Sequence, residues 1–191
     1  MLLLAHTGLT LGIARGLDEL LLQRPSSSRL RRWSRKLIDK VDYRLVLIGS
    51  LLPDIIDKPV GIYLFRETFS NGRIFGHTLL FLLFLFFLGL YLRYRFRWSG
   101  GLILCFCSAI HLLLDGMWSD PQTFLWPFYG LAFEKENLAL WIPHMICALK
   151  TQPRVYVSEY LSALCLVGFG VELLLRRQVL YFLRTGLVGG K

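Results

Sequence analysis

Nineteen consecutive residues, Ile74 to Leu92, carry no charged side chain, and Arg93, Arg95 and Arg97 follow at once. As a helix such a run is about 28 Å long, close to the roughly 30 Å of a bilayer's hydrocarbon core. A span of this kind restricts the fold sharply. Backbone polar groups in lipid must be satisfied within the segment, so the chain is expected to be a helical membrane protein. The rest of the composition agrees. The 191 residues are 54% hydrophobic with mean hydropathy +0.51, yet the formal net charge is +9. A nucleic-acid binder would gather its basic residues on one soluble face, whereas these lie between apolar runs. No nucleic-acid partner is therefore expected.

Further segments follow the same logic. Trp98 to Trp118 is uncharged until Asp115, and Val155 to Leu175 is apolar apart from Glu159 and Glu172. Leu2 to Leu22 reads as a helix with an apolar face. Leu45 to Ile56 is only about 18 Å long as a helix, so a half-span is expected, bent or broken at Pro53. Asn137 to Leu149 suits an interfacial or re-entrant helix. Trp126, Phe128, Tyr129 and Trp141 belong at a membrane–water interface. Pro25 to Ser28 is a short linker at most, and no cleavable signal peptide is visible. The expected fold is all-α: one domain over residues 1–191, a polytopic transmembrane bundle of four to five membrane-embedded helices plus the interfacial one. Cys105, Cys107, Cys147 and Cys165 read as small buried hydrophobes, not as a disulfide framework or thiolate site.

Basic residues set the topology. Eight Lys and Arg lie between Arg24 and Arg44, three between Arg93 and Arg97, and four from Arg176 onward. The positive-inside rule places all three groups in the cytoplasm. Alternating spans then carry His6, Asp54, Asp57, His77, His111 and Asp115 to one level on the non-cytoplasmic side.

Those residue types have a chemistry in common. His111 and Asp115 are four apart and share a helix face, about 6 Å apart along the axis. They can hold one cation or bridge two; a structural His–Asp pair between helices is the alternative. Asp54 and Asp57 follow Pro53 on one face; a helix-end carboxylate in solvent, or a salt bridge to Lys58 or Arg73, is the alternative, more so for Asp57 than for Asp54. His77, beside Gly76 and Thr78, and His6 are histidines that are structural alone and ligands in company. Arg73 can hold an anionic group such as a phosphate, or anchor the interface. His144 reads as an interface residue. Mixed His and carboxylate ligation suits zinc or a similar divalent ion. Two ions sharing a carboxylate suit phosphoester hydrolysis.

The ordered motifs Leu51-Leu-Pro-Asp-Ile-Ile-Asp57, Gly76-His-Thr-Leu-Leu-Phe81 and His111-Leu-Leu-Leu-Asp115, after an early His6-Thr-Gly8, resemble the membrane-bound metal-dependent hydrolases of the YdjM type. The resemblance covers roughly residues 4 to 130. That family in turn is similar to the zinc-dependent phospholipase C group. By position, the resemblance implies one zinc on Asp54, His77, His111 and Asp115, and a second shared between Asp115 and His6. Some positions depart from the pattern. Gly72 stands where a histidine is usual, Gly76 and Thr78 where Thr and Ser are usual, and Asp57 comes one residue late. No late ligands match. One or two ions are therefore expected, not three.

The resulting expectation is a metal-dependent hydrolase of the prokaryotic cytoplasmic membrane. It would act on a phosphoester of a lipid or lipid-linked substrate. The cofactor is most simply zinc, with manganese or another divalent ion as a substitute. Asp57 would be the catalytic carboxylate, orienting a ligand or acting as general base, and Arg73 would bind substrate. The competing expectation is a non-enzymatic protein, such as a divalent-metal carrier or an assembly factor. The wholly apolar stretch from Leu79 to Leu90 argues against a carrier.

Overall fold

The computed structural model describes residues 3–20, 40–137 and 140–188. The linker at Pro25–Ser28 and most of the first basic group lie outside them. The described residues form helices and turns, with no strand among them. In chain order the α-helices are α1 (Leu3–Asp18), α2 (Tyr43–Lys58), α3 (Leu79–Phe96), α4 (Gly100–Asp115), the single turn α5 (Pro121–Phe124), α6 (Trp141–Thr151), α7 (Pro153–Leu175) and α8 (Val179–Thr185).

Among the described residues two helices are long and apolar enough to cross a membrane, α3 and α7. Most of α3 is exposed, including Leu83, Phe84, Phe87 and Tyr91. A helix apolar on all sides and unburied by its own chain fits lipid rather than water. Helices α1, α2 and α4 have 16 residues each, about 24 Å. The uncharged run that opened the case is not all helix. Ile74 to Thr78 forms a bend and a 3₁₀ turn at Phe75–His77, and α3 starts at Leu79. Thr78 Oγ1 caps it by accepting the Phe81 N–H at 3.0 Å, which fixes the start.

Of the break or bend expected at Pro53, the break does not occur. Proline removes one N–H and crowds the carbonyl four residues back, here that of Gly49. Helix α2 nevertheless runs through Pro53 to Lys58. The Gly49 carbonyl accepts instead from Ser108 Oγ of α4 at 3.2 Å. The next carbonyl, Ser50, lies 2.6 Å from His111 Nδ1. A defect in one helix thus becomes the register of two.

Helix α2 buries Tyr43, Val46, Ser50, Pro53, Asp54 and Asp57, an i, i+3, i+4, i+7 stripe. It packs between α1 and α4, while α7 covers α1 and α3 covers α4. The apolar core lies at one end of the bundle, around Leu11, Tyr43, Val46, Ile103, Cys107, Phe169 and Phe182. Because α1, α2 and α4 each carry their buried His or Asp residues at the other end, the opposite end of the bundle is polar inside.

Candidate metal centre

At that polar end His6, Asp57, His77 and His111 are fully buried, and Asp54 nearly so. Each is delivered by a different local device. His77 is placed by Asp57. The Asp57 carboxylate accepts the backbone N–H groups of Ile74 at 2.7 Å, Gly76 at 2.7 Å and His77 at 3.2 Å. It also lies 2.7 Å from His77 Nδ1. Gly76 is required there: a Cβ would meet the Pro53 carbonyl oxygen at 2.9 Å and Asp57 Oδ1 at 3.1 Å. The turn before α3 is therefore wound on a carboxylate from α2.

The hydrogen bonds set the histidine tautomers. The Ser50 carbonyl can only accept, so His111 carries its proton on Nδ1 and turns a bare Nε2 inward. Asp57 is likewise an acceptor, so His77 Nδ1 donates and its Nε2 also faces inward. The two Nε2 atoms lie 3.3 Å apart. Asp54 Oδ1 is 3.8 Å from His77 Nε2 and 3.9 Å from His111 Nε2. Asp115 Oδ2 is 3.8 Å from His77 Nε2. Asp54 Oδ1 and the two Nε2 atoms thus lie within 4.8 Å of one another, at separations mostly too long for hydrogen bonds, with Asp115 Oδ2 beside His77. A tetrahedral ion with bonds of about 2.0–2.1 Å holds its ligand atoms roughly 3.3–3.5 Å apart, so Asp54, His77 and His111 fit three of its positions with small adjustments. The Asp57–His77 pair is also the carboxylate–histidine arrangement that supports metal-ligating imidazoles.

His6 extends the cluster. Its Nε2 is 3.1 Å from Asp115 Oδ1, and its ring stacks on His111 at 3.9 Å. His6 Nδ1 is buried and has no hydrogen-bond partner among the described residues. His6, His111 and Asp115 form a second group able to hold an ion, beside Asp54, His77 and His111. The N-terminus of α1, which carries His6, is held by α7: Glu159 Oε1 accepts the Ala5 N–H at 3.1 Å, and Ser162 Oγ donates to the Ala5 carbonyl at 3.3 Å.

Two cations flank the cluster. Lys58 Nζ lies 2.7 Å from Asp54 Oδ2, leaving Oδ1 turned to the histidines. Arg73 Nε lies 3.0 Å from Asp115 Oδ2. Asp54, Lys58, Arg73 and Asp115 together line one side of a cavity of about 670 Å³. Leu140, His144, Met145 and Ala148 of the α6 segment line it too, as do Val155, Glu136 and Asn137. The loop that presents Arg73 is strapped down from outside. Asn71 Nδ2 donates to the Glu134 carbonyl at 2.7 Å and the Glu136 N–H to the Ser70 carbonyl at 2.8 Å. Phe69, Phe75, Trp126 and Phe133 pack edge and face beneath that strap.

The sequence-predicted residues His6, Asp54, Asp57, His77, His111, Asp115 and Arg73 therefore lie together. Asp57 orients His77, and its oxygens are turned to the backbone and that ring. His144 is exposed on the cavity wall. Trp126 belongs to the aromatic cluster beneath the strap; the Trp141 side chain lies outside the described residues. From sequence, Lys58 is favoured as a partner for Asp57 over Asp54. It pairs with Asp54, and the i, i+4 spacing on one helix is the signal that points there.

The family model described as YdjM inner membrane protein matches residues 1–179. No curated protein matches the chain significantly, and no solved structure does.

Proposed function

The chain belongs to the YdjM inner membrane protein family, and on that premise we propose that it is a membrane-bound metal-dependent hydrolase acting on a phosphoester of a lipid or lipid-linked substrate. One observation carries the reading. Two buried imidazoles with fixed tautomers aim bare Nε2 atoms at each other from 3.3 Å, with carboxylates on either side. A proton could relieve that one contact, whereas a divalent ion would satisfy both Nε2 atoms and Asp54 Oδ1 together. His77, His111, Asp54 and Asp115 would hold the ion, most simply zinc, and His6 with Asp115 and His111 would hold a second. Bound there, such an ion supplies Lewis acidity, acidifying water and polarising a phosphoryl oxygen.

The remaining residues act around that centre. Asp57 keeps His77 in its ligating tautomer and is a positioning residue, not a general base. Arg73 holds an anionic substrate oxygen at the cavity floor. The α6 wall is apolar, which suits the tail of an amphiphile. The outer side of α6 exposes Ile142, Ile146 and Leu149, as a helix lying in the interface does. In this reading α1, α2 and α4 are embedded with α3 and α7 in a polytopic bundle, and the cavity opens on the non-cytoplasmic side.

The test is turnover. Protein purified in detergent and reconstituted with zinc or manganese is assayed for phosphate and headgroup release across phospholipids and lipid-linked phosphates. The expected result is hydrolysis that a chelator abolishes and that His77→Ala lacks. Absence of hydrolysis of every lipid phosphoester by metal-replete, folded protein would overturn the reading.

A further inference from the structure

We propose that the phosphate taken by this site is a terminal phosphomonoester on an apolar tail, with Lys58 and Arg73 as the paired cations that select it. The inference rests on the hydrolase reading and narrows its substrate. Lys58 and Arg73 come from different segments and reach the same cavity. Each is bonded to one of the two carboxylates that the ion would engage. Their side chains are 35% and 41% exposed, so neither is sealed into the protein, and both line the cavity.

A phosphate arriving beside Asp54 and Asp115 therefore meets three positive centres: the ion site, the Lys58 ammonium and the Arg73 guanidinium. A phosphomonoester carries about 1.5 to 2 negative charges at neutral pH and three strong acceptor oxygens. A diester has one charge and two unesterified oxygens. Three cationic centres match three oxygens, and the second charge finds its complement in the lysine. The apolar wall of Leu140, Met145, Ala148 and Val155 takes the tail. Glu136 also lines the cavity and would suit a headgroup ammonium, so a zwitterionic diester is the rival ligand.

The reaction balances with water alone. The water oxygen forms a bond to phosphorus as the bond from phosphorus to the lipid oxygen breaks. The electron pair leaves with the lipid oxygen, which takes one proton from that water. The products are a lipid alcohol and inorganic phosphate.

The experiment compares dihexanoyl phosphatidate with dihexanoyl phosphatidylmethanol and dihexanoyl phosphatidylethanolamine, identical in tail and different in charge. Binding to metal-free and zinc-reconstituted protein in detergent is measured by titration calorimetry, and phosphate release is followed in parallel. A charge-assisted hydrogen bond is worth about 1.5–3 kcal/mol, so phosphatidate should bind at least about tenfold tighter than either diester. In Lys58→Gln the preference should shrink to within about threefold at unchanged zinc content. Lys58→Arg should retain it. Equal or tighter binding of a diester by the wild-type protein overturns the proposal, whatever the variants do. If phosphatidate is preferred but no lipid is hydrolysed, the hydrolase reading fails and the selectivity stands.

Discussion

Asp57 accepts three backbone N–H groups and faces one imidazole, so its charge is spent on geometry. An asparagine there keeps the size but turns an NH₂ toward at least one of those donors. Partners behind metal-ligating histidines typically change affinity 10–100-fold. Asp57→Asn is therefore expected to weaken zinc binding by roughly 10–100-fold, read by competition with a chromophoric chelator. Wild-type affinity in a folded variant would contradict that role. This residue also marks where sequence reading stops. His111 and Asp115 could be paired from spacing alone, because an α-helix makes i, i+4 neighbours. Nothing local to Ile74–His77 says that a carboxylate 17 to 20 residues earlier gathers their N–H groups. His77 therefore reads as part of the apolar helix, although it sits in the turn before it. Lys58 was visible as a partner in the sequence, but its place on the cavity depends on which carboxylate it joins.

Among the elements, the junction of α2 with α4 sets the distance between Asp54 and His111. Its logic is that Pro53 leaves the Gly49 carbonyl without its helical donor and Ser108 supplies one. Ser108→Ala should then cost about 1 kcal/mol, in the range for buried hydrogen bonds in membrane bundles. Pro53→Ala returns an N–H to Gly49, so Ser108→Ala on that background should cost little. Thermal unfolding of the four proteins in one detergent measures the coupling, and additive losses would refute it. The break expected at Pro53 was a sound rule applied without the neighbour that offsets it. By contrast α3 and α7 were legible almost whole, because uninterrupted apolarity needs no partner to be recognised. The junction of α1 with α7 was not legible. It depends on Gly8, where a Cβ would overlap the Ser162 backbone, and on Glu159, which is an oddity in an apolar run until Ala5 is seen against it.

For the whole molecule, the proposed orientation rests on the distribution of Lys and Arg, which by the positive-inside rule sets the candidate metal centre on the non-cytoplasmic side. The described residues agree with the underlying geometry, since the polar cluster and the Arg93–Arg97 group lie toward opposite ends of the helices. The orientation can be checked by labelling. In a background with Cys105, Cys107, Cys147 and Cys165 replaced, Tyr129→Cys should react with a membrane-impermeant maleimide in intact cells whose outer membrane is permeabilised. Arg95→Cys should react only after lysis. The reverse pattern would invert the protein and put the site in the cytoplasm.

The proposed function stands or falls on whether Asp54, His77 and His111, with Asp115 and His6 beside them, hold a metal ion. Zinc-edge X-ray absorption with metal analysis on reconstituted, detergent-purified protein tests it most directly. One or two zinc ions per chain are expected, bound by nitrogen and oxygen at about 2.0–2.2 Å without sulfur, and lost in folded His77→Ala and His111→Ala. A wild-type protein that retains no divalent ion, or one whose zinc survives His111→Ala unchanged, would contradict it.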